Sequence, residues 1–211
     1  MMINEPTVKL AVNGGISFGS KLNAKQLQTI IKYLKDDEEL ELTTFQQLYL
    51  MVPEKQMEQI KAEFEEVGLS CYPVGNTVKS LRTCNFCKGA DEEGMPVAIK
   101  LNELIAGQPV PFTLRPAYTG CPIGCGEPLV NDIGIMKVKD KFDLYIGGYT
   151  KGTKAQTGKL LFGKLDENTL YIYVNNLIRL YSDNGRKREQ FYRFVNRYGF
   201  DTIKEEIAAI S

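Results

Sequence analysis

The sequence predicts an α+β protein whose first lobe has the ferredoxin-like βαββαβ order. Residues 7–12 alternate apolar and polar side chains, as a half-buried strand does. Residues 39–43 and 46–52 are two further strand-like runs that follow each other almost directly, and residues 69–72 form a short closing strand. Because one helix-like segment precedes the central pair and another follows it, the order matches the split βαβ arrangement.

Both predicted helices of this lobe have recognisable boundaries. Asn23 with Gln26 three residues later is the pattern of a capping box, which predicts a helix start. Pro53 and Gly68 are typical of a start and an end, and they bracket the second helix. Apolar side chains recur at helical spacing on both segments: Leu27, Ile30, Ile31 and Leu34 on the first, and Met57, Ile60, Phe64 and Val67 on the second. We therefore expect the first lobe to span residues 1–73.

The pattern changes from about residue 74, where glycines and cysteines replace long periodic runs. Residues 96–106 predict a helix that the following prolines end, and residues 133–138 and 142–148 predict a strand pair. The tail from Leu170 onward has helical periodicity. Residues 74–211 therefore read as a second α+β lobe with loops built around a bound group.

Composition excludes several classes of function. The 26 basic and 26 acidic residues balance, so we expect no nucleic-acid partner, and no apolar run approaches the ~20 residues of a spanning helix, so we expect no membrane partner. The N-terminus has no signal-peptide pattern, so we expect a cytoplasmic protein. The glycine-rich segment 14–19 lacks the spacing of a phosphate loop, and we interpret it as a turn. Because the chain has no histidine, Ser-His and Cys-His catalysis and histidine-ligated zinc or haem are excluded.

Four of the five cysteines form two closely spaced pairs, Cys84-Asn-Phe-Cys87 and Cys121-Pro-Ile-Gly-Cys125. Two thiolate pairs from separate loops suit a tetrahedral zinc site or a cubane cluster, and spacing alone leaves both open. Four unrelated buried thiols remain a third interpretation. Cys71 belongs to neither pair, and we expect it to be a buried small apolar side chain.

The residues around the second cysteine pair resemble a known family. The segments 120–125, 131–134 and 144–148 (Gly-Cys-Pro-Ile-Gly-Cys, Asn-Asp-Ile-Gly and Leu-Tyr-Ile-Gly-Gly) resemble the cluster-binding half of the siroheme sulfite and nitrite reductases. Residues 22–27 and 42–46 are similar to that family's first helix and its Thr-Thr-Arg-Gln strand. The resemblance implies a small member with a single half, for which a homodimer would supply the second.

This resemblance also implies cofactors and the residues that bind them. A 4Fe-4S cluster would be held by four thiolates, those of Cys84, Cys87, Cys121 and Cys125. Siroheme would be the second cofactor, with Cys125 bridging to its iron. Thr44, Gln46 and Arg82 would also contact the cofactors. The family commonly has five residues between its first two cysteines, whereas this chain has two.

A small oxyanion would be the substrate, and the family binds it with four cationic side chains. Two of these positions keep a charge here, Lys79 and Arg115, and we expect them to bind the substrate and deliver protons. The other two correspond to Phe45 and Thr113, and Arg82 is a candidate replacement.

These expectations favour a sulfite or nitrite reductase-like oxidoreductase that receives electrons from a donor protein or reductase subunit. Two alternatives remain open. One is a non-catalytic iron–sulfur or tetrapyrrole-binding electron carrier or sensor of the same fold. The other is a structural module stapled by zinc.

Overall fold

The computed structural model describes residues 6–13, 21–84, 87 and 90–210, with the backbone alone for residues 90–93. The glycine-rich segment 14–19, which we interpreted as a turn, lies outside the described residues. The chain divides between Gly75 and Asn76 into two compact units.

The first unit has the predicted ferredoxin-like order. Its elements are β1 (Thr7–Asn13), α1 (Ala24–Ile31), β2 (Glu41–Leu42), β3 (Leu48–Pro53), α2 (Met57–Glu66) and β4 (Ser70–Pro73). They form one antiparallel sheet with strand order β2-β3-β1-β4. The predicted α+β class is confirmed for this unit, element by element.

Local signals fix the two helices of this unit on their sheet. The Asn23 side chain accepts a hydrogen bond from the Gln26 backbone N–H at 2.9 Å, and the Gln26 side chain accepts one from the Asn23 N–H at 3.0 Å, which confirms the capping box. The Gln26 amide also donates to the carbonyls of Val67 and Gly68, so the start of α1 is bonded to the end of α2. Leu34 lies beyond the last helical residue, Ile31, yet it packs against the core as predicted. That core is made of strand and helix side chains: Leu10, Val12, Ile30, Leu48, Leu50, Val52, Ile60, Phe64 and Leu69.

The second unit combines a mixed five-stranded sheet with four helices among its described residues. Its elements are β5 (Arg82–Thr83), α3 (Ala90–Ile105), β6 (Pro116–Thr119), β7 (Ile133–Val138), β8 (Lys141–Ile146), β9 (Lys159–Leu165), α4 (Glu167–Asn184), α5 (Phe191–Tyr198) and α6 (Phe200–Ala208). The strand order is β5-β6-β7-β8-β9. The first three strands are parallel, and β8 and β9 join them antiparallel.

Sequence patterns located the second unit less completely. The strand pair is confirmed as the β7–β8 hairpin, and the helical tail is confirmed as α4 to α6. The predicted helix 96–106 begins earlier than expected, at Ala90, and Pro96 lies inside it. Strand β9 was not predicted, because its sequence Lys-Leu-Leu-Phe-Gly-Lys-Leu lacks strict alternation.

None of the helices in the described ranges combines the length and the apolar character that crossing a bilayer requires.

Candidate metal centre

The two cysteine pairs follow neighbouring strands of the second sheet. Strands β5 and β6 are parallel, with Thr83 opposite Tyr118 in the register. Cys84 directly follows β5, and Cys121 comes two residues after the end of β6. Since neighbouring parallel strands end at the same edge of a sheet, both cysteine loops begin at one edge.

A glycine allows these two loops to touch. A methyl group added at Gly126 would lie 2.0 Å from the carbonyl oxygen of Tyr118 and 3.2 Å from the backbone nitrogen of Cys84. No side chain fits at the first of these distances, so only glycine permits the approach. The residue that follows Cys125 therefore packs against both the end of β6 and the first cysteine loop.

The segment from Cys121 to Asn131 is held in a defined path. The backbone N–H of Gly124 donates to the Cys121 carbonyl at 3.3 Å, and the N–H of Glu127 donates to the Gly124 carbonyl at 2.8 Å. The Asn131 side-chain amide donates to the Glu127 carbonyl at 2.9 Å. These bonds make two consecutive turns around the second cysteine pair and close the loop before β7 begins.

The glycine of the Asp132-Ile133-Gly134 segment has a structural reason. A methyl group added there would lie 1.9 Å from the carbonyl oxygen of Pro128. The returning loop therefore lies directly on strand β7, and glycine is the residue that leaves room for it.

An ion pair joins strand β5 to the second cysteine loop. The Arg82 guanidinium lies 2.8 Å from the Glu127 carboxylate, and the Arg82 side chain is 28% exposed. Arg82, which we predicted as a cofactor contact, thus links the end of β5 to the loop that carries Cys125.

The four thiols differ in exposure. Cys84 and Cys121 are half-buried, whereas Cys87 and Cys125 are exposed. Within the described ranges, no three cysteine, aspartate or glutamate side chains are grouped closely enough to hold a metal ion. The backbone thus brings the Cys84 and Cys125 segments into contact, while the thiols themselves are not gathered into one ligand set.

Arg115, predicted to bind substrate, is bonded to a buried carboxylate. Its Nε lies 3.0 Å from Oδ2 of Asp132, its Nη2 lies 3.3 Å from Oδ1, and its backbone N–H donates to Oδ2 at 2.9 Å. The Asp132 side chain is only 3% exposed. Burial raises the pKa of Asp132, and the Arg115 guanidinium opposes that rise. The guanidinium also lies over the ring of Tyr149, 5.8 Å from its centroid.

Lys79 and Arg115 precede strands β5 and β6, whereas the cysteines follow these strands. The backbone N–H of Lys79 donates to the Leu114 carbonyl at 2.8 Å, so the two cationic residues precede β5 and β6 side by side. The cysteines follow the other ends of the same strands. Lys79 precedes β5 by three residues, whereas Cys84 directly follows it. The structure therefore brings the two predicted substrate residues together, but at the opposite end of β5 and β6.

Two further predicted cofactor residues belong to the first unit. Thr44 and Gln46 lie in the turn between β2 and β3, where Gln46 has a left-handed φ of 59°. Thr44 is exposed and Gln46 is half-buried. The Thr43 hydroxyl accepts hydrogen bonds from the N–H groups of Phe45 and Gln47 and shapes this turn.

Sequence reasoning did not assign roles to three residues of this region. Gly126 and Asp132 have the contacts described above, and Thr83 places a buried hydroxyl one residue before Cys84. A glycine next to a cysteine is a weak signal for Gly126. Nothing in a single sequence links Asp132 to an arginine 17 residues away.

Comparisons with known proteins agree with this fold. The family model for the nitrite and sulphite reductase 4Fe-4S domain matches residues 76–210. A cobalt-factor III methyltransferase of Priestia megaterium is 27% identical over 93% of this chain. An assimilatory-type sulfite reductase of Nitratidesulfovibrio vulgaris is 24% identical over 80% of this chain and 78% of its own length. The solved structure of the NirA protein of Mycobacterium tuberculosis superposes on 96% of this chain with a TM-score of 0.69 and 14% identity, and this chain covers 39% of it.

Fold and site together define an α+β protein of the sulfite and nitrite reductase type. The chain belongs to the nitrite and sulphite reductase 4Fe-4S domain family, since the family model matches more than half of it. It spans only 37% of the length of the methyltransferase that it matches.

Proposed function

We propose that this protein is a redox protein that binds a 4Fe-4S cluster through Cys84, Cys87, Cys121 and Cys125 and transfers electrons by means of it. One observation carries the proposal. Both cysteine loops begin at the same edge of the parallel strands β5 and β6, and they touch where Gly126 packs on the backbone of Cys84.

The number and chemistry of the four thiols fit such a group, although the described residues do not gather them into one ligand set. Four thiolates from two loops are the ligand set of a 4Fe-4S cluster, and the close approach at Gly126 holds the loops together without any metal. The thiols would converge as the group binds, since metal sites commonly complete their geometry on binding. When bound, a cluster of this kind accepts and returns electrons one at a time.

Exposure at the site supports exchange of electrons with another protein. Cys87 and Cys125 are exposed, and Ile123, between the second pair of cysteines, is 82% exposed. Exposed thiols would leave a bound cluster open to a second protein. We therefore propose a donor protein or a reductase subunit as the partner.

The relatives support a role that does not depend on one overall reaction. The matches to the methyltransferase and to the sulfite reductase cover 93% and 80% of this chain, so they overlap over most of it. Those two proteins are named for different reactions. The part that they share with this chain is therefore better explained by a common redox group than by either reaction.

A second candidate function is reduction of a small oxyanion such as sulfite or nitrite with siroheme. It is favoured by the match that spans 78% of an assimilatory-type sulfite reductase, which leaves little of that protein outside the shared region. In this case Cys125 would bridge to siroheme, Thr44, Gln46 and Arg82 would contact the cofactors, and Lys79 and Arg115 would bind the anion. A homodimer would supply the second half of the site.

The geometry favours the electron-transfer role over this second candidate. Two nitrogens of the Arg115 guanidinium are bonded to Asp132, which leaves fewer donors for an anion. Lys79 and Arg115 also lie at the end of β5 and β6 that is opposite to the cysteines. An oxyanion site at these residues would therefore lie at the other end of β5 and β6 from the cysteine loops.

Cysteine substitutions test the proposal. We expect Cys125→Ser to lose the visible absorption of the cluster and most of the iron after anaerobic reconstitution. Cys71→Ser is the matched control, because Cys71 lies on β4 of the first unit, and it should bind iron as the wild type does. Equal loss in both variants, or equal retention, would contradict the proposed ligands.

An activity assay then separates the two candidates. Protein that carries the cluster but shows no tetrapyrrole absorption and no sulfite or nitrite consumption with a reduced viologen dye acts as a carrier. Consumption of either anion, together with tetrapyrrole absorption, would establish the reductase instead.

A further inference from the structure

A buried hydroxyl lies beside the first cysteine loop without a described partner. Thr83 is the last residue of β5 and is 4% exposed. Its Oγ1 has no hydrogen-bond partner among the described residues. Buried polar atoms in native proteins are nearly all hydrogen-bonded, so this hydroxyl is available to a partner outside the described residues, either water or a bound group.

The environment of Thr83 connects it with Cys84. Thr83 pairs with Tyr118 in the parallel register, so the two side chains lie on the same face of the sheet. Thr83 also directly precedes Cys84, at the point where the first cysteine loop begins. Its hydroxyl is therefore carried by the neighbour of a proposed cluster ligand.

We propose that the Thr83 hydroxyl donates a hydrogen bond to a sulfur atom of the bound cluster and thereby raises its reduction potential. This inference rests on the cluster assignment proposed above. Adding an electron increases the negative charge on the sulfur atoms, so a hydrogen-bond donor stabilises the reduced form more than the oxidised form. Thr83 is thus a positioning residue that acts through the cluster and need not touch a substrate.

The alternative is that Thr83 is present only because β-branched residues suit strands. In that case valine would serve equally well. The two interpretations differ in one measurable quantity, the reduction potential, because a purely structural side chain does not change it once the cluster is fully loaded.

The test compares Thr83→Val with Thr83→Ser in the full chain. Both proteins are reconstituted anaerobically and assayed for iron and sulfide. A redox titration then measures the reduction potential, with the reduced cluster detected by electron paramagnetic resonance. We expect Thr83→Val to load fully and to disfavour reduction by about tenfold, which is a fall of about 59 mV for one electron. Thr83→Ser keeps the hydroxyl and should stay near the wild type.

Thr77→Val is the matched control. The Thr77 hydroxyl is also buried and has no described partner, but it lies at the start of the second unit, six residues before Thr83. Its removal should leave the potential unchanged. Thr83→Ala is a second hydroxyl-free variant, and it should reproduce the fall if valine impairs loading.

Two outcomes would overturn the inference, and they are distinguishable. If the loaded Thr83→Val and Thr83→Ala proteins have the wild-type potential, Thr83 does not contact the cluster, while the cluster assignment stands. If the wild type itself takes up no iron and sulfide, the cluster assignment fails and this inference fails with it.

Discussion

At the residue scale, the candidate metal centre depends on how closely two backbone segments approach each other. Gly126 is in contact with the Tyr118 carbonyl and the Cys84 nitrogen, and a methyl group would lie only 2.0 Å from the first of these. Both contacts are with backbone, which cannot rotate away as a flexible side chain would. The loop that carries Cys125 must therefore move if any side chain is added.

We expect Gly126→Ala to lose most of the iron and sulfide bound by the wild type, because the two cysteine loops would be pushed apart. Iron and sulfide assays after anaerobic reconstitution measure this. Gly75→Ala is the control, since nothing lies within 4 Å of the added methyl group, and it should load normally. Full loading of Gly126→Ala would show that the contact is not needed.

The ion pair between Arg115 and Asp132 should contribute to the stability of the fold. Removing one partner of a buried ion pair leaves an uncompensated charge and costs about 3–5 kcal/mol. We expect Arg115→Leu to lower the free energy of unfolding by roughly this amount in urea denaturation. The double variant Arg115→Leu/Asp132→Leu should be more stable than Arg115→Leu alone, since no buried charge then remains.

This loss should depend on pH. Burial holds the pKa of Asp132 above its ordinary value, and removing the Arg115 guanidinium removes an opposing influence. A carboxyl whose pKa is raised in the folded state stabilises the fold at a pH below its pKa in the unfolded chain. That stabilisation is lost as the pH rises through the pKa of the folded state. The deficit of Arg115→Leu should therefore be smaller near pH 5 than at pH 7. A deficit that is equal at both values would contradict the assignment.

Residue patterns predicted some of these features and could not predict others. The capping box at Asn23 is confirmed, because the two partners are three residues apart and the chemistry is local. The pairing of Arg115 with Asp132 depends on the register of β6 with β7, which no local pattern encodes. Local sequence patterns do not specify how two strands are aligned.

At the scale of elements, the site depends on two short parallel strands. Strand β5 has two residues and β6 has four. Neither is long enough to show a period of two, and the residues of β6 are all buried, so alternation is absent. The sequence therefore did not predict that both cysteine loops begin at one edge of the sheet, although the cysteine spacing indicated paired ligands.

The helical tail has an element-scale prediction of its own. Glu189 accepts hydrogen bonds from Arg197 at 2.7 and 2.8 Å and from the Arg186 backbone N–H at 2.9 Å, so it joins α5 to the segment after α4. Arg197 lowers the pKa of Glu189. We expect Glu189→Gln to reduce the free energy of unfolding by roughly 0.5–1 kcal/mol at pH 7, since Arg197 is partly exposed.

The pH dependence of this effect runs opposite to that of Asp132. A carboxylate whose pKa is lowered in the folded state stabilises the fold at a pH above its pKa in the unfolded chain. That stabilisation is lost as the pH falls through the pKa of the folded state. Urea denaturation at pH 7 and near pH 3 should show the difference between Glu189→Gln and wild type disappear at the acid value. A constant difference would mean that packing, not charge, is responsible.

At the scale of the whole molecule, the two units differ in how well their sequences predicted them. The first unit has an antiparallel sheet whose strands and helices share one apolar core. Apolar and polar side chains therefore alternate along its strands, and its helices carry clear apolar stripes. The second unit has parallel strands and long loops, and its architecture is apparent only when the register is known. The family resemblance supplied what periodicity could not.

The distribution of thiols across the two units is also testable. Burial raises the pKa of Cys71, in the first unit, to about 11, whereas Cys87 and Cys125 in the second are exposed. In metal-free protein near pH 8, we expect iodoacetamide to modify Cys87 and Cys125 first and Cys71 last, as mapped by peptide mass spectrometry. Early modification of Cys71, which is half-buried, would contradict its raised pKa.

The central claim is that the four cysteines of the second unit hold one 4Fe-4S cluster. The most direct measurement is the content of iron, acid-labile sulfide and zinc in protein purified without oxygen, per chain and together with its absorption spectrum. We expect iron and sulfide in equal amounts, about four of each per chain, and little zinc. A colourless protein with about one zinc and no sulfide would contradict it and would establish the zinc-stapled module instead.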